Sequence, residues 1–428
     1  MKINTTRNQA EILDTIPASL PLLGFVDNIH SLEHKLPFLG YKILAVQHLI
    51  GASIPFFAMF EKGGAKPEDI YLIGKAYSSH PEVVKCLQQK GYNLTFNEIF
   101  DCAFDQPYDS ILQKRIVDFA ITLLEKTDVN QKWLIIDDGA KAIELLHLKY
   151  SKLASNFACV EQTSRGTRTV KKLTLACPVI DVARSEAKTI HEAPMIAQAM
   201  VDEFLNALQH WKEAQAYHLT DKNVLLLGYG FIGENVATRL FDYGFSISVY
   251  DTDNDKLQQA QQAGLTTVNQ LDEIYHKVNI VAGCSGTPVL TDQEFSKLKP
   301  GTLLVNMAST DMEFSAWKLR PKGTIIHQHV LPVDLQYLKE LMPLPWRSLY
   351  KVQLAETYLY LANGGFPMDF SGKINPVPSN DIQFTSALLL AGAIQAVGEK
   401  EAKLIELNPT LQNKIIAAYS NLKTCAKS

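Results

Sequence analysis

The stretch that decides the fold is NVLLLGYGFIGENVATRLFDYGFSISVYD, residues 223–251. It begins with the apolar run Asn223–Leu227, which is typical of a central strand in a parallel sheet. The glycine pattern GYGFIG follows at 228–233, then a helical pattern, and then a second strand that ends in Asp251. Strand, glycine turn, helix and strand in this order predict a βαβ unit in which the glycine turn opens the helix.

The glycines and the acidic residue have separate tasks in a dinucleotide site. Gly228 permits a tight turn, Gly230 lets the backbone approach a pyrophosphate, and Gly233 allows the helix to pack closely on the strand. The helix N-terminus offers free N–H groups and a partial positive charge to the phosphates. Asp251 can accept hydrogen bonds from both ribose hydroxyls and would repel a 2′-phosphate, so the pattern predicts NAD as the cofactor. There are two alternatives. The domain could bind a flavin in place of NAD, or it could be a domain of this fold that no longer binds a ligand.

The composition limits the classes of protein to which this chain can belong. The chain has 428 residues, of which 46% are hydrophobic and 20% are charged, and this predicts a globular protein of roughly two or three domains. The net charge of −4 argues against a nucleic-acid-binding protein. The longest apolar stretch, Ala387–Val397, is too short and too interrupted for a membrane span. The N-terminus is polar and lacks the apolar core of a signal peptide, so we expect a cytoplasmic protein without a membrane partner.

Cysteine and histidine spacing gives no indication of a metal centre. The six cysteines form no CxxC pair, so we expect reduced, partly buried thiols. His327 and His329 would share one face of a strand, but no third ligand is evident beside them. We therefore expect no metal.

The order of strands and helices predicts two domains. Upstream of the glycine pattern, short apolar strands alternate with helical patterns, which predicts a second parallel sheet covered by helices. A long helical segment from about 194 to 214 connects the two regions. We predict an α/β protein in which a Rossmann-type NAD-binding domain is inserted in a second, discontinuous α/β domain that binds the substrate. The predicted boundaries are a lead-in at 1–35, the first part of the substrate domain at 36–194, the NAD-binding domain at 195–345, and a return to the substrate domain with C-terminal helices at 346–428.

Several of these segments together resemble the S-adenosylhomocysteine hydrolase family. The stretch quoted first resembles the cofactor domain of that family, and the similarity continues through IVAGCSG at 280–286 and LLVNMASTD at 303–311. Upstream, LIIDDGAKAIELLHLKY, VEQTSRGT and PVIDVARSEAK resemble the family's acidic strand end, its Glu-Glu-Thr-Thr-Thr-Gly motif and the segment with its lysine. The resemblance covers roughly 40–311 and is diffuse after that.

The resemblance implies a reaction in which tightly held NAD+ is an internal redox agent. In that family NAD+ oxidises the ribose 3′-hydroxyl, a base removes the neighbouring proton, the 5′-thiol leaves, water adds, and the hydride returns. By position in the motifs, Asp138 matches the family's acidic residue after the strand, Lys188 its lysine at the 3′-hydroxyl, and His48 its histidine. General bases of this kind must be titratable and within hydrogen-bond reach of the substrate.

The departures from the family lie in the part that would bind adenosine. Gln162 replaces a glutamate, and an amide can hydrogen-bond a hydroxyl but cannot act as a base. Ser309 replaces the histidine of the family's Asn-Ile-Gly-His motif, and the family's C-terminal Lys and Tyr have no counterpart. Further replacements are Ile50, Ala52, Arg165, Ala183, Glu192 and Ala193. Each lost polar contact would cost about 1–3 kcal/mol, so we expect the NAD site to be kept and the substrate to differ.

Four functions stay open at this point. We expect an enzyme that uses bound NAD for redox chemistry on a hydroxyl of a nucleoside-like or other small substrate, and its catalytic candidates are Asp138, Lys188, His48 and Gln162. The alternatives are adenosylhomocysteine hydrolysis by a rearranged site, a non-catalytic NAD-binding sensor, and a dehydrogenase of the hydroxyacid type. The last ranks behind the others because the 283–287 loop lacks the arginine that such enzymes need.

The expected partners are a small-molecule substrate, no nucleic acid and, from the resemblance, further copies of the chain in a homo-oligomer. The cofactor contacts combine the glycine pattern with the positions that the resemblance implies. The residues expected to contact NAD are Gly228, Gly230, Phe231, Ile232, Gly233, Asp251, Thr163, Ser164, Cys284, Ser285, Gly286 and Asn306.

Overall fold

The computed structural model of the chain describes residues 15–95, 105–124, 128–328 and 348–425. The chain divides into two compact units, each with its own sheet. The first unit comprises Met1–Ile99, Leu112–Glu192 and Lys373–Ser428, and the second unit comprises Phe100–Ile111 and Ala193–Gly372.

Strands and helices alternate along most of the described chain. The strands are β1 Tyr41–Gln47, β2 Ile70–Gly74, β3 Asn93–Thr95, β4 Lys132–Asp137, β5 Phe157–Glu161, β6 Val179–Asp181, β7 Asn223–Leu227, β8 Ser246–Tyr250, β9 Thr266–Thr267, β10 Ile280–Gly283, β11 Leu303–Asn306, β12 Gly323–His327, β13 Leu349–Gln353, β14 Tyr358–Ala362 and β15 Leu404–Glu406. The α-helices are α1 Pro21–His30, α2 Leu32–Lys35, α3 Ser53–Lys62, α4 Pro81–Gln89, α5 Tyr108–Leu124, α6 Lys141–Lys149, α7 Ser164–Val170, α8 Glu186–Glu213, α9 Phe231–Asp242, α10 Asn254–Gln262, α11 Asp292–Phe295, α12 Ala316–Leu319, α13 Ser379–Gly398 and α14 Pro409–Cys425.

The first unit is built on a parallel sheet in the order β15-β6-β5-β4-β1-β2-β3. Strands β2 and β5 are buried along their whole length, as in sheets that are covered on both faces. From β1 the chain continues to β2 and β3 on one side, and then to β4, β5 and β6 on the other. The strand order therefore reverses between β1 and β4. Ligands of open α/β sheets bind at such a switch point, outside the carboxyl ends of the strands.

Helix α13 is the core helix of the first unit. By length and composition this helix could cross a membrane. However, 61% of its apolar 18-residue stretch is buried inside the protein. It packs against β5 and α1, and the backbone N–H of Leu22 in α1 donates to Gln383 Oε1 at 3.0 Å. Helices α1 and α2, which fall in the expected lead-in 1–35, are thus packed parts of the first unit.

The second unit contains the sheet β12-β13-β14-β11-β10-β7-β8-β9. The strands from β14 to β9 pair in parallel, whereas β12 and β13 add an antiparallel edge. Strand β7 is the first of the unit along the chain, and its residues Val224–Leu227 are completely buried. The strand order reverses between β7 and β10, which places the second switch point beside the glycine turn.

The predicted α/β class, with a Rossmann-type parallel sheet, is confirmed. Two boundaries differ from those predicted. The return to the first unit was expected at 346, but β13 and β14 extend the second sheet, and that unit ends at Gly372. Helix α8 begins at Glu186 and continues through Pro194. Because proline removes one backbone hydrogen bond from a helix, the sequence pattern suggested a helix start at that residue.

Candidate functional site

Three predicted residues meet at the switch point of the first sheet. His48 follows β1 and Asp138 follows β4, and these strands are neighbours. His48 Nε2 lies 3.1 Å from Asp138 Oδ2. Gln162, which follows β5, donates from Nε2 to the same oxygen at 2.7 Å. One carboxylate therefore binds two side chains that the sequence places 114 positions apart (162 − 48).

A third group binds this carboxylate, and no sequence motif points to it. Lys75 follows β2, the neighbour of β1, and its Nζ donates to Asp138 Oδ1. The two side chains are almost completely buried, with 3% and 5% of their surface exposed. The position of Lys75 directly after a buried strand could have pointed to the site, because residues at this edge of the sheet converge on the switch point.

The electrostatics of the site favour an ionised carboxylate beside a neutral imidazole. Burial would raise the pKa of Asp138, but the charge of Lys75 and the contact with His48 hold that pKa well below its ordinary range. Burial, together with the charges of Lys75 and Lys188, lowers the pKa of His48, and the Asp138 carboxylate opposes this lowering only in part. A neutral imidazole that directs Nε2–H at Asp138 has Nδ1 as its basic nitrogen. That nitrogen accepts a hydrogen bond from the Ser78 hydroxyl.

The predicted lysine is linked to the same carboxylate through Gln162. Lys188 is in α8, where its Nζ donates to Gln162 O and lies 3.2 Å from Glu192 Oε2. Glu192 also accepts from the Thr385 hydroxyl at 2.7 Å. Gln162 Oε1 is buried, and among the residues that the structure describes no donor reaches it.

These groups have balanced charges. Two lysine cations face two carboxylates, and the remaining members are a neutral imidazole and an amide. A site of this kind suits a neutral, hydrogen-bonding group such as a hydroxyl rather than an isolated ion, because its charges already have partners. We refer to the following residues as the polar network: His48, Lys75, Asp138, Gln162, Lys188 and Glu192.

Two buried acids end the strands that lead into the polar network. Asp137 and Glu161 are paired in register across β4 and β5. Asp137 Oδ2 accepts from two backbone amides in the first turn of α6 at 2.7 and 3.0 Å, and Glu161 Oε1 accepts from the backbone and the hydroxyl of Thr163. The other oxygen of each acid lacks a donor among the described residues. Burial raises the pKa of Asp137 to about 6, and burial together with the charge of Asp137 raises the pKa of Glu161 well above its ordinary range.

We expect Glu161→Gln to weaken the pH dependence of stability. A carboxyl group whose pKa is raised by folding stabilises the protein fully below its unfolded pKa, and this contribution is lost as the pH rises through the folded pKa. The wild-type free energy of unfolding should therefore fall as the pH rises above 4.5, and that of the variant should fall less. Chemical unfolding between about pH 5 and 8 measures the difference. Glu401→Gln, at an exposed glutamate, is the matched control, and equal slopes in all three proteins would contradict the prediction.

The glycine turn of the second unit leaves room for a pyrophosphate. Gly228 has a φ of +97°, and a Cβ there would lie 2.9 Å from the Ser285 backbone. A Cβ at Gly233 would lie 2.1 Å from Gly228 O, so helix and strand approach as closely as glycine permits. A Cβ at Gly230 would have no atom within 4 Å, and this residue directly precedes α9 and provides no side-chain cap for the helix. Uncapped helix N–H groups beside open space fit the phosphates of a dinucleotide.

Asp251 is held beside this turn. Its Oδ2 accepts from the backbone N–H of Tyr229 at 2.6 Å, and its Oδ1 accepts from that of Asp253 at 2.9 Å. Phe231 and Ile232 form the start of α9, and Phe231 is 57% exposed. A carboxylate fixed at the end of β8, next to the glycine turn, fits a cofactor with free ribose hydroxyls such as NAD.

Cys284, Ser285 and Gly286 form the loop after β10, across the switch point from the glycine turn. The backbone N–H of Cys284 donates to Leu227 O at 2.7 Å, which ties this loop to the end of β7. Burial raises the pKa of the Cys284 thiol well above its ordinary range. The thiol is therefore protonated at neutral pH and is no nucleophile.

Two of the expected cofactor contacts, Asn306 and Thr163, have side-chain hydrogen bonds that serve the fold. Asn306 donates from Nδ2 to two backbone carbonyls at 2.5 and 2.8 Å, so both its amide hydrogens are used. Thr163 caps α7 by accepting from Gly166 N at 2.9 Å, and Ser164 is the first residue of that helix. Thr163 and Ser164 belong to the first unit, whereas the glycine turn belongs to the second. Their assignment to NAD thus continues to rest on the resemblance.

The structure describes only one residue of the histidine pair that was considered as a metal site. His327 ends β12, and burial lowers its pKa. His329 lies outside the described residues. Within the described ranges, no group of three or more His, Cys, Asp or Glu side chains is arranged to hold a metal ion.

Comparison with known protein families supports the cofactor site. Residues 195–312 match the family described as D-isomer specific 2-hydroxyacid dehydrogenase, NAD binding domain. The matched range includes the glycine turn, Asp251 and the loop after β10. It therefore supports NAD, the predicted cofactor.

The relatives named next are distant in sequence. An uncharacterized protein of Mycobacterium tuberculosis (strain ATCC 25618 / H37Rv) is 25% identical over 397 residues, which are 90% of this chain and 70% of that protein. The adenosylhomocysteinase of Thermotoga maritima is 24% identical over 301 residues, 69% of this chain and 68% of that enzyme. The crystal structure of a dipicolinate synthase polypeptide from Bacillus halodurans has a TM-score of 0.43 at 11% identity, covering 85% of this chain and 100% of that one. The chain is thus similar to NAD-dependent dehydrogenases in its cofactor domain and, distantly, to adenosylhomocysteinases over about two thirds of its length.

Proposed function

We propose that this protein is an enzyme that uses NAD for redox chemistry at a hydroxyl-bearing carbon of a small polar substrate, and that the polar network binds that hydroxyl. The observation that carries the proposal is Gln162 Oε1, a buried acceptor that no described donor reaches. The other end of the same amide donates to Asp138. A buried polar atom without a partner costs about 1–3 kcal/mol, and a substrate hydroxyl would remove this cost.

Oxidation at such a carbon breaks one C–H bond and one O–H bond and forms a C=O bond. NAD, when bound, supplies the acceptor of the hydride. The chain must accept the proton, and His48 suits this task because burial lowers the pKa of its imidazole, so the ring is neutral and Nδ1 can take up a proton. Once the substrate O–H has turned from Gln162 Oε1 toward Ser78, the Ser78 hydroxyl can pass its own proton to Nδ1 of His48 while it takes the proton of the substrate. The imidazolium that forms lies against the Asp138 carboxylate, which stabilises it.

The two lysines have an electrostatic part in this proposal. Lys75 is bound to Asp138, and Lys188 is bound to the backbone carbonyl of Gln162. Cations held beside a hydroxyl site stabilise the negative charge that develops on the substrate oxygen as its proton leaves. Because both ammonium groups are buried and fixed, they need little reorganisation during the reaction.

The experiment that tests this function has two stages. Mass spectrometry identifies the small molecules that the freshly purified protein releases on denaturation. The protein is then incubated with NAD and a panel of ribonucleosides, S-adenosylhomocysteine and 2-hydroxy acids. Formation of NADH with one of these compounds supports the proposal. Release of homocysteine without net NADH supports hydrolysis by an internal redox cycle instead, and bound NAD without any turnover indicates a sensor.

We expect His48→Gln to lower turnover about 10²–10⁴-fold, the range that general acid–base catalysis contributes. NAD binding should not change, because the glycine turn and Asp251 belong to the second unit. Steady-state kinetics and an NAD titration of the same samples separate the two effects. His34→Gln, at an exposed histidine of α2, is the matched control. Wild-type turnover in His48→Gln would exclude the imidazole as the proton acceptor.

A further inference from the structure

Glu313 is a fully buried carboxylate in the segment between β11 and α12. Its Oε1 accepts from the backbone N–H of Ser285 at 3.0 Å, and its Oε2 accepts from that of Gly286 at 2.7 Å. The Ser285 hydroxyl lies 2.8 Å from Oε1. One buried side chain therefore holds the backbone of two consecutive residues in the loop after β10.

The packing fixes this arrangement from both sides. A Cβ at Gly283 would lie 2.0 Å from Glu313 Cγ, so the glutamate occupies the space that a side chain at Gly283 would need. On the other side, a Cβ at Gly228 would lie 2.9 Å from both N and Cα of Ser285. The loop is held between Glu313 and the glycine turn, at the switch point where a dinucleotide binds.

We propose that Glu313 is a positioning residue of the NAD site, which in its ionised form fixes the loop after β10 against the Gly228 turn in the arrangement that binds NAD. The proposal rests on the cofactor site and does not depend on the reaction proposed above. An ionised carboxylate offers an acceptor oxygen to each of the two N–H groups. A protonated one directs its own O–H toward those donors, so that one contact is lost.

The surroundings of Glu313 make its charge change near neutral pH. Burial raises its pKa to about 7, and the hydrogen bonds from the loop offset this only in part. The Cys284 thiol interacts electrostatically with Glu313 and stays protonated, because burial raises its pKa too. Asp311, from the same segment, is paired with Arg320 at 2.8 Å. NAD affinity should therefore fall as the pH decreases below about 7.

Equilibrium dialysis of isotope-labelled NAD against the full-length protein tests the proposal. We expect the Kd to be about tenfold higher one pH unit below 7 than one unit above it, because the ionised fraction of a single carboxyl group with a pKa of about 7 changes about tenfold between these two pH values. In Glu313→Gln the Kd should be high at every pH and should no longer depend on pH, because glutamine has one acceptor oxygen and no charge. Glu401→Gln, at an exposed glutamate of the first unit, should keep the wild-type profile.

Two results would overturn the proposal: a wild-type Kd that does not change with pH, and a Glu313→Gln variant that keeps the wild-type slope. A merely structural role would weaken NAD binding in the variant and leave that slope intact, so it gives the second result. If Glu313→Gln does not fold, Ser285→Ala replaces it. That variant removes the hydroxyl contact and keeps both backbone donors, so we expect weaker binding with the wild-type slope, and a flat profile would count against Glu313.

Discussion

Asp138→Asn is expected to abolish turnover and to destabilise the protein. The substitution leaves Lys75 buried without its counter-charge, and removing one partner of a buried ion pair costs about 3–5 kcal/mol. It also takes away the charged acceptor that orients His48 and Gln162. The proton acceptor and the hydroxyl acceptor of the proposed reaction are thus both displaced, and we expect a loss in rate at the upper end of the about 10²–10⁴-fold range for acid–base catalysis.

Chemical unfolding and turnover, measured on the same samples, check this prediction. Asp272→Asn is the matched control, because Asp272 pairs with Lys297 at 2.7 Å with both side chains about half exposed or more, and such pairs contribute about 0–1 kcal/mol. The double variant Asp138→Asn/Lys75→Met tests the cause. Removing both charges should recover much of the lost stability and none of the turnover. An Asp138→Asn protein with wild-type stability and turnover would show that the polar network is no active site.

The glycine turn could be predicted from the sequence because its determinants are local. Gly228 needs a positive φ, and Gly233 needs room for the carbonyl of Gly228, five positions away. The strand before the turn and the helix after it are visible as an apolar run and a helical period. Asp251 is more distant in sequence, but the short βαβ unit fixes its place at the end of the next strand. A contiguous segment therefore contains nearly all the information for this half of the site.

The polar network could be predicted only in part, because its contacts are long-range. The family resemblance pointed to His48, Asp138 and Lys188 singly, and the reversal of strand order brings the first two together. Lys75 lies 63 positions from Asp138, and no motif relates them. Lys75 can be buried because the fold places Asp138 beside it. No local pattern in the sequence indicates this pairing.

Motif matching also does not show which polar side chains bind the backbone of the chain. Asn306 was matched to a cofactor contact, but its amide hydrogens are both donated to carbonyls of the chain. Glu313, which no motif marks, binds the loop that the motif does mark. In each case the role follows from the hydrogen-bond partner, since a buried polar group must find one. That partner is set by packing and not by the local pattern.

Gly233→Ala is expected to lower NAD affinity about 100-fold or more and to destabilise the second unit. The new Cβ would lie 2.1 Å from Gly228 O, so α9 must move away from the turn. A displacement of about 1 Å at a site of this kind can cost a factor of about 10², and the forced overpacking costs about 1–3 kcal/mol of stability. Equilibrium dialysis of labelled NAD and thermal unfolding measure the two effects.

Gly230→Ala separates the cofactor from the fold. Gly230 has a φ of −77° and nothing within 4 Å of the added Cβ, so the folded chain accepts a methyl group there without strain. The same methyl would occupy the space through which a pyrophosphate approaches the backbone. We therefore expect Gly230→Ala to lose NAD affinity at wild-type stability, whereas Gly233→Ala loses both. Gly24→Ala, in α1 and equally free of close contacts, should bind NAD as the wild type does. Wild-type affinity in Gly230→Ala would mean that the phosphates do not lie on this turn, because a bound pyrophosphate and a methyl group cannot share that space.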